Sequence, residues 1–239
     1  MSKPITIVHL YAKEMNIYGD NGNVLVLQKR LQWRGIASKV VRVGVGDAFP
    51  KDVHLIIGGG GQDAGQQAIA NDLQTKKEAL ARFANNGVPM LMICGMYQMF
   101  GAAFITADKT TIPGIGILDV TTKASARRLV GNVVCETSDF GRLIGYENHS
   151  GRTQRGATIL PLGSVPTGQG NDGADQTEGA RFNNVFGSYM HGPMLAKSPV
   201  FADYLLRLAL DIAGNATTLT ALDDSLEEVA GAVAVSRPR

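Results

Sequence analysis

The stretch PMLMICGMYQMFG, Pro89 to Gly101, decides how this chain is read. Val88 and then Met90 to Ile93 form an apolar run with the length of a buried strand. Cys94-Gly95 ends the run, and the residues after it continue as a helix-like segment. A strand that stops at a Cys-Gly pair and turns directly into a helix has the layout of a nucleophile elbow, with sulfur in place of oxygen. A thiol at a helix N-terminus faces the positive end of the helix dipole, which favours negative charge on sulfur. A buried lone cysteine can equally be a small hydrophobe of the core, and this segment alone leaves the two readings level.

Around the elbow, strand-like and helix-like segments alternate. Ile5 to Tyr11 is a β-type run, and VLVLQKRLQWRG after Asn21-Gly22-Asn23 has helical apolar spacing. Lys39 to Val43 and Val53 to Ile57 read as strands, the latter ending in four glycines, Gly58 to Gly61. Gln66 to Asn85 is an amphipathic helix closed by Asn86-Gly87. This alternation implies an α/β fold with a mostly parallel sheet and helices on both faces. From Ile115 to Gly151, short β-rich runs (ILDVTT, LVGNVVCET, RLIGYENH) point to antiparallel additions to that sheet. Leu162 to Asn184, rich in Gly, Asp, Asn and Gln, reads as an exposed loop or hairpin. Pro199 to Ala213 is a last long amphipathic helix, and Leu219 to Val235 one more, followed by a polar tail. The expected organisation is a main domain over 1–213 and a C-terminal extension over 214–239.

The 239 residues, 44% of them hydrophobic, suffice for a packed core. A net charge of +2 gives no reason to expect nucleic acid or an anionic membrane as a partner. The two cysteines, Cys94 and Cys135, imply no disulfide framework. No apolar run is long enough to span a membrane, and MSKPITIVHLY is too short for a signal-peptide core. A cytoplasmic protein with reduced thiols is expected; no metal site is.

Gly59-x-Gly61-x-x-Ala64 formally matches a dinucleotide fingerprint, but it follows the third strand rather than the first and lacks the acidic residue of the next strand. Gly168-x-Gly170-x-x-Gly173 has no helix after it and reads as a turn. No Walker motif is present, so ATP is not expected on this chain. Beside a cysteine nucleophile the first glycine loop has another use, because its N–H groups can point at a developing oxyanion. A catalytic cysteine also needs a base. His9 and His54 lie within apolar strand runs; His149 and His191 each follow a β-type run, and His191, ahead of Gly192-Pro193, is the better placed at a strand end.

The glycine loop, ICGMYQ at Ile93 to Gln98 and YMHGP at Tyr189 to Pro193 together resemble class I glutamine amidotransferases, and more closely their cobyric-acid-synthase-like branch. NIYGDNGN (Asn16 to Asn23), GYENHSGRT (Gly145 to Thr153) and NNVFGSYMHGP (Asn183 to Pro193) narrow the likeness to the GatD-type glutaminase subunits of lipid II isoglutaminyl synthases, over roughly Ile5 to Leu210. The resemblance implies a flavodoxin-like fold and hydrolysis of L-glutamine to glutamate and ammonia through a Cys94 thioester. It implies His191 as proton carrier, Gly60, Gly61 and Gly95 as oxyanion donors, Gln98 in the pocket wall and Arg128 on the substrate α-carboxylate, with Arg127 as its competitor. The chain itself carries no cofactor in this reading. ATP and Mg belong to a Mur-ligase-like partner, which forms a heterodimer with it and amidates the D-glutamate of the lipid II stem peptide at the inner membrane face.

Two features depart from the family pattern. Met96 and Met92 stand where glycines are common, two residues after and two before the cysteine. Most class I members carry Glu two residues after the histidine; here, as in the cobyric-acid-like branch, that residue is Pro193. A carboxylate from a partner chain, or a Cys-His dyad, is therefore expected. The rival readings are the glutaminase component of a cobyrinic-acid amidating enzyme, a non-catalytic regulatory module on the same fold, and a cysteine hydrolase of the intracellular-protease type.

Overall fold

In a computed structural model, which describes residues 3–215 and 218–237, the first half of the chain follows the alternation read from the sequence. It runs β1 (Ile5–Leu10), α1 (Asn21–Trp33), β2 (Ser38–Val43), β3 (Leu55–Gly58), α2 (Asp63–Asn85), β4 (Met90–Ile93) and the short α3 (Gly95–Phe100). Six strands then follow: β5 (Ala103–Ile105), β6 (Thr111–Pro113), β7 (Val120–Thr137), β8 (Gly141–Arg155), β9 (Gly163–Thr167) and β10 (Thr177–Glu178). The chain closes with β11 (Ala180–Phe182), β12 (Val185–Ser188), α4 (Pro199–Ile212) and α5 (Ser225–Ser236). The last two residues of the polar tail lie outside the described residues.

The first sheet has the order β11-β12-β4-β3-β1-β2 and is parallel throughout except for the β11–β12 hairpin at its edge. β1, β3, β4 and β12 are buried at every position, as strands covered on both faces must be. Most of the antiparallel strands do not extend this sheet. They form a second one, β10-β9-β7-β5-β6, with the long β8 paired to β7. The two sheets meet where Tyr146 of β8 and His191 exchange backbone hydrogen bonds of 3.1 and 2.9 Å. The turn that carries His191 is therefore tied to the second sheet as well as to the first.

Leu162 to Asn184 is more ordered than its composition suggests. It contributes β9, β10 and β11, and it buries Asn171 and Glu178. Its glycine motif is a turn: Gly168, Gly170 and Gly173 all have positive φ, and the N–H groups of Gln169 and Gly170 donate to the Glu147 carboxylate. Glycine is suited to such angles because it has no Cβ to clash.

The chain end is held by a buried charge cluster. Arg30 of α1, 1% exposed, donates to Asp203 of α4 (2.7 and 2.9 Å) and to Asp224, just before α5 (2.6 and 3.2 Å). Asn132 on β7 donates to the carbonyls of Ala234 in the last helix and of Arg237 just past it. Removing the cation from such a cluster strands its carboxylates. Arg30→Ala should therefore destabilise the fold by about 3–5 kcal/mol, read as a lowered denaturation midpoint, with cleavage by protease becoming easiest around 214–224.

Candidate active site

β4 delivers Cys94 to the carboxyl rim of the parallel sheet, where folds of this kind bind ligands. The expected strand-to-helix elbow is present. Cys94 has φ 50° and ψ −104°, a conformation that side chains rarely adopt, directly before α3. Holding a residue there costs on the order of 1–3 kcal/mol and requires surroundings that leave no alternative. Part of that restraint is a 2.7 Å hydrogen bond from the Cys94 N–H to the carbonyl of Ser188 at the end of β12. Ser188 is itself fixed, its hydroxyl donating to the buried Glu178 carboxylate (2.8 Å), which also accepts the Tyr189 N–H (2.6 Å).

Met92 and Met96, where the family favours glycine, both lean on Gly58 at the end of β3. A Cβ built at Gly58 would lie 2.9 Å from the Met92 sulfur and 3.0 Å from Met96 Cγ. The space withheld at the elbow is supplied by the neighbouring strand, so the elbow forms with two bulky residues around it.

His191 sits three residues past β12, fully buried. Its Nδ1 lies 3.0 Å from Asp20 Oδ1 and 3.1 Å from Oδ2. Since a carboxylate can only accept, Nδ1 carries the proton, and Nε2 is buried with no hydrogen-bond partner among the described residues. Burial by itself would lower the imidazole pKa, but the Asp20 carboxylate hydrogen-bonded to it and the nearby Cys94 sulfur outweigh burial and hold it up at about 10. The carboxylate beside the histidine was expected from a partner chain, or not at all. It comes instead from this chain, in the loop between β1 and α1. Pro193 takes no part in this, but it packs on the same turn: a Cβ at Gly22 would lie 2.5 Å from Pro193 Cγ.

Asp20 also explains one of the glycines. Its Oδ2 accepts the Gly60 N–H at 2.6 Å, so that donor, expected to face an oxyanion, is already engaged. Gly60 must be a glycine because a Cβ there would come within 2.6 Å of His191 Cε1. Gly61 lies against the elbow: a Cβ on Gly95 would be 2.9 Å from Gly61 N. The Gly61 backbone therefore packs directly on Gly95, the residue after Cys94.

A cavity of about 570 Å³ opens over the sulfur, walled by Gln98, His149, Asn148, Arg128 and Tyr18 among others. Gln98 is clamped at both ends of its amide, donating to the Tyr189 hydroxyl (3.0 Å) and accepting from Gln66 (2.8 Å). Arg128 faces the cavity and Arg127 does not. The Arg128 guanidinium donates from Nε to Asn148 Oδ1 and from Nη2 to the Asn148 carbonyl, both at 2.8 Å. His149 lines the same cavity, but burial pushes its pKa down to about 3, so it is neutral. His9 and His54 are buried in or next to β1, as their apolar surroundings imply, and His54 accepts the Thr6 N–H. Sequence reasoning missed Asp20, Tyr18 and Asn148 as site residues. The first two fall in NIYGDNGN and the third in GYENHSGRT, segments noticed only for their likeness.

An imidazole near pKa 10 when folded and 6.5 when unfolded stabilises the fold most below pH 6.5, and that stabilisation fades as pH rises towards 10. Denaturation midpoints of the wild type should fall across this window. His191→Gln, which cannot titrate, should show a flatter profile, and identical slopes would contradict the assignment.

The chain has relatives among known proteins. Residues 6–199 match the model of the CobB/CobQ-like glutamine amidotransferase domain. The lipid II isoglutaminyl synthase (glutamine-hydrolyzing) subunit GatD of Staphylococcus aureus is 36% identical over 98% of this chain and 96% of its own length. The GatD subunit of Streptococcus pneumoniae is also 36% identical, over 94% of this chain and 88% of its length. A cobyric acid synthase of Rhodobacter capsulatus is 31% identical over 83% of this chain, which corresponds to 43% of that protein. In fold, a solved glutamine amidotransferase superposes with a TM-score of 0.59 over 86% of this chain and 98% of that one, at 17% identity. With these matches beside a buried Cys-His-Asp arrangement, the chain belongs to the CobB/CobQ-like glutamine amidotransferases, and it is a glutamine-hydrolysing enzyme subunit.

Proposed function

We propose that this chain is the glutaminase subunit of a lipid II isoglutaminyl synthase. The observation that carries the chemistry is the buried pair of His191 and Asp20 beside Cys94, whose side chain lines a cavity of about 570 Å³ together with Gln98 and Arg128. The specific assignment rests on likeness running through nearly the whole length of two GatD subunits, whereas the cobyric acid synthase likeness spans under half of that protein.

At neutral pH an imidazole held at about 10 is protonated, and the attacking form of a cysteine is its thiolate. The Cys94 thiolate attacks the side-chain carboxamide carbon of glutamine. The oxygen takes up negative charge facing the N–H groups of Gly61 and Gly95. Nε2 of His191 gives its proton to the departing nitrogen, and ammonia leaves behind a thioester. His191, now neutral, takes a proton from water as it attacks the thioester, releasing glutamate and restoring the thiolate. Asp20 fixes the tautomer and balances the imidazolium charge throughout. Arg128 receives the α-carboxylate, since its guanidinium lines the cavity and Asn148 holds its inner edge.

Ammonia needs an acceptor, and this chain carries no ATP motif. The acceptor is the D-glutamate α-carboxyl of the lipid II stem peptide, activated with ATP and Mg by a Mur-ligase-like subunit paired with this one as a heterodimer. No helix among the described residues is long and apolar enough to cross a membrane. In this reading lipid II is reached through the partner, at the cytoplasmic membrane face. The 214–239 segment serves as an extension clamped to the main domain by Arg30 and Asn132.

Cys94→Ala in the two-subunit enzyme should abolish glutamine-dependent amidation of lipid II and spare amidation from added ammonium salt, both followed by mass spectrometry. Retained glutamine-dependent activity would refute the nucleophile. Asp20→Asn should lower kcat by about 10²-fold or more while moving KM little.

A further inference from the structure

We propose that Tyr18 is a positioning residue that ties the two ends of the glutamine site together, setting His191 with its ring and Arg128 with its hydroxyl. The inference rests on the reading above, in which Arg128 binds the α-carboxylate and His191 carries the proton.

The Tyr18 ring stands edge-on to the His191 imidazole, with centroids 4.9 Å apart and planes at 66°. Its hydroxyl accepts a 2.7 Å hydrogen bond from Asn148 Nδ2, across the cavity on β8. The same Asn148 receives Arg128 through its side-chain and backbone oxygens. The result is one continuous chain of contacts, His191 to Tyr18 to Asn148 to Arg128. It joins the place where the carboxamide reacts to the place where the α-carboxylate lands.

Packing does not account for this placement. Tyr18 is 44% exposed, so it is no core residue. Its φ of 56° is left-handed, a conformation that a bulky side chain adopts only when held. The holding groups flank it: Ile17 N–H donates to the Gly60 carbonyl at 3.1 Å, and Asp20 binds His191 and Gly60. The tyrosine is therefore fixed by the catalytic groups themselves, and it carries that placement to Arg128. Because Asn148 engages the inner edge of the guanidinium, the outer edge is left for a carboxylate, and rotation of the Asn148 amide would misalign it.

The two halves of the side chain can be tested separately. Glutamine hydrolysis by the full chain with its ATP-dependent partner is measured at steady state. Tyr18→Phe removes only the bridge, and should raise KM for glutamine about five-fold, as loss of one hydrogen bond would, with kcat within two-fold. Tyr18→Leu also removes the ring and should lower kcat about ten-fold besides raising KM, since the imidazole loses its backing. The Tyr18→Phe effect on KM should vanish in an Arg128→Met background, because the bridge then has nothing to position. An unchanged KM in Tyr18→Phe, or an equal rise with and without Arg128, overturns the proposal even if Tyr18→Leu fails to fold. Absence of glutamine hydrolysis in the wild-type complex would be a different failure, overturning the functional reading and this inference with it.

Discussion

The site depends on where one buried carboxylate sits. Asp20 meets the imidazole of His191 with both oxygens and holds the Gly60 N–H with one of them. Three separate stretches of chain converge there: the loop after β1, the glycine loop after β3 and the end of β12. A fully buried carboxylate is costly unless it is paired and hydrogen-bonded, and here it is both. The cationic imidazole compensates the carboxylate, and the carboxylate keeps the imidazole cationic against the cost of burial. Neither group would be stable in this place without the other, which makes the pair a structural element as much as a chemical one.

Around that pair the protein fixes the nucleophile from its backbone. The left-handed turn at Cys94, the N–H bond to Ser188 and the Glu178 carboxylate behind Ser188 connect the elbow to the strand that carries the histidine. β4 and β12 are parallel neighbours in register, with Ile93 opposite Ser188. Side chains leaving the ends of two adjacent strands emerge on the same rim, so a cysteine and a histidine nearly a hundred residues apart meet without a dedicated loop to bring them together.

Much of this was legible in the residues. The apolar run ending in Cys94-Gly95 announced the elbow, and periodicity placed α2 and α4 to within a few residues at either end. What the sequence obscured was long-range. Composition alone marked Leu162 to Asn184 as exposed, because Asn171 and Glu178 look like loop residues until their buried hydrogen bonds are seen. The antiparallel runs were recognisable as strands, but nothing local in them says that they pair mainly with one another in a second sheet. Asp20 escaped notice for a related reason. The family habit of a Glu after the histidine drew attention to Pro193, while the carboxylate lay 171 residues upstream in a turn. Gly60 illustrates the limit from the other side: a glycine needed for closeness to a ligand and one needed for closeness to a side chain look the same in a sequence.

The packing of Met92 and Met96 against Gly58 carries an evolutionary consequence. Volume has been moved from one strand of the sheet to its neighbour, so the three positions can no longer drift independently. An alanine at 58 would collide with two thioethers, and a glycine at 96 alone would leave a hollow beneath the elbow. Small residues on both sides of the cysteine would instead leave room for a larger side chain at 58. Passing between the two arrangements by single substitutions means a loosely packed or an overcrowded intermediate.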